Sequence, residues 1–376
     1  MRRLFYFPLE PYKERYTCQL SAPKKGWLEW RWNEIGLDYV RVEGRSLNKE
    51  ITVGSVLDAT GRGYWACSQI MEFLRLLNDG QVESSDCLYF DDFWHPGISA
   101  LPYAFHLMNV YPKLYAMLHA QSVDQFDFTY PMRYWMRHFE KGMGEVFSGI
   151  FVTSTCLRDL CLYAGVGNER NVYLCGLPYN SDEVRTHFPE VKPLKKRQVI
   201  FSSRWDREKC PDFFLRVVDR VLAQDKSVVF LITTSAKKLR SNSSFYLELL
   251  NEYLIKYPLN LVLKEDLSKR EYYFNLLESK VQFNCADQDF VSWTLLEATT
   301  CGCNPVYPYF LSFPEVLNFD HRYLYVKGDV ESAAQMIFEN LDREEDCSWV
   351  YKRFDRSWER MLAVMRGESY ESLYSD

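Results

Sequence analysis

The chain has 376 residues, 47% of them apolar and 26% charged, ordinary usage for a soluble globular protein, and its length predicts two domains rather than one core. A formal net charge of -6 removes the simplest case for a general nucleic-acid binder, and a local basic groove stays open; 16% aromatic residues is high and suits a chain that stacks rings or sugars. The eleven cysteines contain no CxxC pair and read as reduced thiols; no apolar run nears the roughly 20 residues of a membrane span, and Pro8, Glu10 and Pro11 break the N-terminus, so a soluble, unprocessed, cytoplasmic chain is expected.

In chain order, "FPLEPYKERYTCQL" either caps a first strand and lines a cleft with Glu14, Arg15 and Thr17 or is a surface turn set by two prolines. "YFDDFWHPG" places Asp91, Asp92 and His95 after a strand, a set of residue types that can ligate a metal. "AMLHAQSVDQFDFTYP" carries His119 and Asp127 in a polar, aromatic loop, where a histidine more often completes structure than chemistry. "GIFVTS", "TCLRDLCLYAG" and "NVYLCGLP" then read as β-α-β, with Gly165 as the helix stop. The polar segment "YNSDEVRTHFPEVKPLKKRQ" separates the two halves.

The second half is more regular. "QVIFSS" and "SVVFLITT" flank a helical stripe of Phe213, Phe214, Val217, Val218, Val221 and Leu222, followed by "NLVLK", "KREYYFNLLES", "VQFN", "WTLLEATT" and "NPVYP". Repeated β-α units predict a parallel sheet covered by helices, which binds ligands beyond the carboxyl ends of its strands. "CSWVYKRFDRSWERMLAVM" predicts one C-terminal helix. The expected division is 1–180, 193–345 and a C-terminal helix in 346–376 that packs back toward the first domain.

Chemistry concentrates in two places. "RWDREKCP" sets Arg204 and Lys209 where a strand ends and a helix begins, so full charges would join the unpaired N–H groups of a helix start; Arg207 and Glu208 read as solvated neighbours. After "VQFN" a polar loop carries Asp287 and Asp289, and Glu297 interrupts the apolar run "WTLLEA", so it must face a cleft or meet a buried donor.

Arg204, four residues and Lys209, followed later by Asp289, seven residues and Glu297 with "ATTCGCNPV", resemble the retaining GT-B glycosyltransferases across roughly the second half of the chain. Within that group, "WDREKCPDFF" and "LLEATTCGCNPVYPYFLSFPEVL" are similar to tRNA-queuosine mannosyltransferase-like proteins, and the architecture to bacteriophage enzymes that glycosylate modified DNA bases. Asp289 stands where the family usually has Glu, Ser292 replaces a common Gly, and the early Gly-rich loop is missing. The resemblance implies an α/β fold of two Rossmann-like domains with parallel sheets facing across a cleft, the acceptor in the first and a nucleotide-sugar, UDP- or GDP-linked, in the second. It implies that Arg204 and Lys209 stabilise the leaving diphosphate, that Glu297 accepts from ribose hydroxyls, and that Asp289 with the amides of Phe290, Val291 and Ser292 holds the donor sugar. His119 matches a cleft histidine of the family. No metal or other cofactor is implied; DNA or tRNA carrying a modified base is the favoured acceptor, in the host cytoplasm if the chain is phage-encoded. Three alternatives stand: transfer to a cell-surface glycan or small glycoconjugate, a metal-dependent transferase of the other major fold using Asp91 and Asp92, and a nucleotide-binding protein of this fold that transfers nothing.

Overall fold

The structure, a computed structural model, describes residues 3–11, 32–34, 36–47, 60–127 and 129–368. It divides into two units, Met1–Pro178 together with Ser357–Asp376, and Tyr179–Arg356.

In the first unit six short strands, β1 Leu4–Phe7, β2 Tyr39–Arg41, β3 Cys87–Phe90, β4 Lys113–Met117, β5 Gly149–Val152 and β6 Val172–Leu174, form a parallel sheet ordered β2-β1-β3-β4-β5-β6. The runs LFYF, CLYF and GIFV are buried at every position. Unbroken apolar strands of this kind belong to a sheet covered on both faces. Helix Thr155–Ala164 starts where the Ser154 side chain accepts from Leu157 N and stops at Gly165, whose φ of +71° an L side chain rarely adopts. Helix Ser357–Arg366 belongs here too: Trp358 packs edge-on against Tyr89 at 5.9 Å, and Arg360 Nη1 donates to Cys175 O at 3.0 Å.

The second unit holds β7 Lys196–Phe201, β8 Val229–Thr233, β9 Leu261–Lys264, β10 Ser279–Phe283, β11 Asn304–Pro308 and β12 Leu324–Tyr325, all parallel, in the order β12-β11-β10-β7-β8-β9. Numbered from β7, this is the 3-2-1-4-5-6 order of a doubly wound nucleotide-binding sheet, whose direction of growth reverses between β7 and β10. Helix Pro211–Gln224 buries Phe213, Phe214, Val217, Val218, Val221 and Leu222, the stripe read from the sequence, against Phe201, Phe230 and Phe283.

The expected single C-terminal helix is two. Ser348–Asp355 ends at Arg356, whose φ of -89° and ψ of 0° leave the helical region, and Ser357–Arg366 follows. On one side of the break Asp355 accepts from Ser181 N (2.8 Å) and Ser181 Oγ (2.6 Å) within the second unit, and on the other Trp358 is buried in the first.

Candidate functional site

The point where the second sheet reverses is bounded by the loops after β7 and β10, and those loops are tied together. Asp287 N donates to Glu208 O at 2.8 Å, and the Cys285 thiol reaches Lys209 O at 3.3 Å. Lys209 crosses between them: Nζ donates to Gln288 O at 2.7 Å and pairs with Asp289 Oδ2 at 3.0 Å, with only 8% of its side chain exposed. Lys327 pins the β10 loop from the other side, pairing with Asp287 at 2.7 Å and donating to Cys285 O at 2.7 Å. Cys210 turns the chain at φ +50° into Pro211, the first residue of the next helix.

Within the charged loop Trp205 is wholly buried against Phe201 and Phe214, and its Nε1 donates to Tyr246 O at 2.8 Å. This anchor holds Arg204 at the surface, half-exposed and paired with Glu208 at 2.6 Å and Asp206 at 3.5 Å. Glu208 is therefore a counter-ion rather than the solvated neighbour expected; Arg207 is exposed.

Glu297 is 4% exposed on helix Trp293–Thr300 and takes the second of its two options, meeting buried donors. Tyr272 OH donates to Oε2 at 3.0 Å, Tyr273 OH to Oε1 at 2.9 Å, and Lys269 Nζ lies 3.7 Å from Oε1. Burial, then the charge of Glu297, raises the Tyr272 phenol well above its ordinary pKa, so it keeps its proton and donates. Phe290, Val291 and Ser292 lead into this helix and are buried; the Ser292 side chain contacts Thr294 Oγ1 at 2.9 Å and does not cap the helix start. The structure thus brings Lys209 and Asp289 together and holds Glu297 in a separate phenol cage.

In the first unit, His119 and Asp127 both follow β4. His119 Nε2 lies 2.8 Å from the Asp91 carbonyl, which can only accept, so Nε2 carries the hydrogen. Asp127 Oδ1 accepts from Thr129 N (2.9 Å) and Oγ1 (2.5 Å), yet burial, reinforced by Asp124, pushes its pKa up to about 6. Asp91 receives Tyr6 OH at 2.6 Å and Leu9 N at 3.3 Å; Asp92 receives Arg62 Nη2 and Gln121 Nε2, both at 2.7 Å, and Trp94 N at 3.0 Å. His95 Nε2 faces Gln69 Oε1 at 3.1 Å, and burial with Arg62 lowers its pKa to about 3. The metal-ligand reading of this cluster is corrected by these bonds, because protein donors take both carboxylates; among the described residues no group of three or more His, Cys, Asp or Glu is arranged to hold a metal ion. Glu14, Arg15 and Thr17 lie outside the described residues.

No family model matches the chain. Over 165 residues it is 26% identical to the tRNA-queuosine alpha-mannosyltransferase of Drosophila melanogaster, a stretch covering 43% of this chain and 40% of that protein. Among solved structures it is similar to the sucrose-phosphate synthase of Thermosynechococcus elongatus, with a TM-score of 0.63 at 13% identity over 100% of both chains. A glycosyltransferase of Rickettsia africae ESF-5 gives 0.62 at 10% identity over 97% of this chain and 98% of that one, and Anabaena HepE in complex with UDP-glucose gives 0.59 at 10% over 100% of both. The fold is GT-B.

Within this GT-B chain, sequence reasoning missed Tyr272, Tyr273 and Lys327. The two tyrosines looked like part of an apolar helix face, and their spacing of 24 and 25 residues from Glu297 follows no periodic rule. The one available signal was Glu297 itself, since a buried carboxylate demands donors from the neighbouring helix. No helix among the described residues is long and apolar enough to cross a membrane.

Proposed function

We propose that the chain is a retaining, nucleotide-sugar-dependent glycosyltransferase whose acceptor is a hydroxyl of a modified base in nucleic acid. The observation that supports it most is the Lys209–Asp289 bridge between the β7 and β10 loops, a cation and a carboxylate fixed where a doubly wound sheet takes a nucleotide. Lys209 spends two of its three N–H groups on Gln288 O and Asp289 and offers the third to a phosphate oxygen; Arg204 adds a guanidinium from the same loop. Both charges stand in place before the reaction, so the diphosphate gains stabilisation as its charge grows without reorganisation.

Asp289 and the amides of Phe290 to Ser292 hold the donor sugar, and Glu297, oriented by its tyrosines, accepts from the ribose hydroxyls. In the transfer, the bond from the anomeric carbon to the diphosphate oxygen breaks, the acceptor oxygen bonds to that carbon on the same face, and the acceptor proton passes to the departing phosphate. His119 and Asp127 serve the sugar and acceptor side, and no metal is required. The nucleic-acid acceptor is supported by the Drosophila relative, a tRNA-queuosine alpha-mannosyltransferase, of which the match spans 40%.

The test is calorimetric titration of UDP, GDP and their sugar derivatives, followed by mass analysis of transfer RNA and of modified DNA incubated with the donor that binds, with and without chelator. Donor binding and a mass increase of one sugar that survive the chelator are expected. Failure of every nucleotide to bind overturns the proposal, and transfer to glycans alone overturns its acceptor.

A further inference from the structure

We propose that the loops following β7, β8 and β9 form a binding surface for the phosphate backbone of the nucleic acid that carries the acceptor base. This rests on the nucleic-acid reading above. Although the chain is acidic overall, the segment from Thr234 to Ser243 contains Lys237, Lys238 and Arg240 and no acid. All three are exposed, as are Arg207 in the β7 loop and Arg270 after β9, and none of the five is in an ion pair among the described residues.

Hydrogen bonds make the three loops one surface. Asn242 N donates to Asp206 Oδ1 at 2.8 Å, joining the β8 and β7 loops; Asp266 N donates to Ala236 O at 2.8 Å and Leu267 N to Thr234 O at 3.2 Å, joining the β9 and β8 loops. The nearby acids are engaged elsewhere for the most part: Asp206 takes Asn242 N and the β7-loop Arg204, Glu265, itself exposed, takes Leu239 N, and the exposed Glu271 takes Ser268 Oγ, while Asp266 is exposed as well. An aromatic ring completes the set: Phe245 is 58% exposed on the first turn of helix Ser244–Lys256, a turn fixed to the β7 loop by Trp205 Nε1 and Tyr246 O.

Gathering cations without counter-ions raises the self-repulsion of the folded chain and contributes nothing to packing. A polyanion supplies the missing charge, with several Lys and Arg contacting successive phosphates and an exposed ring stacking on an unpaired base. The site of the Lys209–Asp289 bridge opens from the same β7 loop, so a backbone bound here lies beside the donor end of the second unit.

The experiment measures anisotropy of labelled, unfractionated transfer RNA with the full chain over a salt series. K237A/K238A/R240A is expected to lose roughly 10- to 100-fold in affinity near 0.1 M salt and to flatten the slope of log K against log salt by about 2, since each phosphate contact contributes about 0.7 to 0.9. Phe245→Ala is expected to weaken binding with the slope unchanged, and Lys226→Ala, at the amino end of β8, to change neither. Donor titration of the triple variant, with wild-type affinity expected, shows that it is folded. An unaltered salt slope in the triple variant overturns the proposal, as does binding of vesicles rich in anionic lipid in place of nucleic acid. If the wild type binds no nucleotide while the slope still falls in the triple variant, the surface stands and the transferase reading fails.

Discussion

At the β1/β3 reversal of the first sheet, Asp91 is 1% exposed and satisfied by Tyr6 OH and Leu9 N, whereas at the β7/β10 reversal of the second, Lys209 reaches across to an Asp289 whose side chain is 27% exposed. Both sheets place a carboxylate just beyond the strand that follows the reversal. In the first unit the carboxylate is enclosed by neutral donors and its neighbour Asp92 by Arg62 and Gln121, so the charge holds the loops in shape. In the second the carboxylate is paired with Lys209 and its side chain is still 27% exposed, ahead of a helix start that no side chain caps. A carboxylate after a strand therefore tells little about function until its donors are known.

The largest expected effect tests the structural half of that contrast. Arg62→Ala leaves Asp92 buried without its cation and should cost about 3–5 kcal/mol of stability, read as a lowered urea midpoint. A loss below about 1 kcal/mol would show that the pair is not structural. Next, Lys209→Ala should slow transfer by roughly 10²- to 10³-fold while donor affinity falls less, because the leaving charge is largest in the transition state. Wild-type turnover in that variant would place the donor elsewhere. Glu208→Ala releases Arg204 and should slow transfer more than Arg207→Ala does; equal rates in steady-state assays would remove Arg204 from the site.

Glu297→Gln should weaken donor binding by about 1.5–3 kcal/mol, the range for charge-assisted hydrogen bonds, in calorimetry on the folded variant. Tyr273→Phe, which leaves the carboxylate in place and removes one donor, should cost about 0.5–1.5 kcal/mol of the same affinity, and tighter binding instead would mean that the phenol competes with the ribose.

The smallest effect depends on pH. Because burial lifts Asp127 to about 6, the folded chain keeps a proton that the unfolded chain has released. Stability attributable to this group therefore falls as pH rises from about 4 through 6. Asp127→Asn, which preserves the acceptor for Thr129, should be more stable than wild type by about 1–3 kcal/mol at pH 7.5 and nearly equal to it at pH 4, measured by urea unfolding at both. A constant difference would assign the effect to packing.

The second sheet was legible because its apolar runs and helical stripes alternate cleanly; Arg204, Lys209 and Asp289 stand in the loops after β7 and β10, and Glu297 in the helix that follows the β10 loop. The rest was hidden for physical reasons. Asp91 and Asp92 have the residue types of a metal site, and only Arg62, Gln121 and Tyr6, distant in sequence, decide otherwise. Trp205 sits among six charged or cysteine neighbours and is still core, since burial depends on what closes over a residue. The C-terminal helix is divided at Arg356, and the unbroken aromatic spacing carries no sign of it.

That division also has a consequence for how the protein is made. Helix Ser357–Arg366 supplies Trp358, Met361 and Met365 to the interior of the first unit, but the ribosome reaches it only after the 178 residues from Tyr179 to Arg356. At about 5–20 residues per second, the growing first unit waits roughly 10–35 s for its closing piece. During that interval the seat of Trp358 beside Tyr89 is left without the helix that covers it. A stop codon anywhere in the second unit would therefore cripple the first one as well.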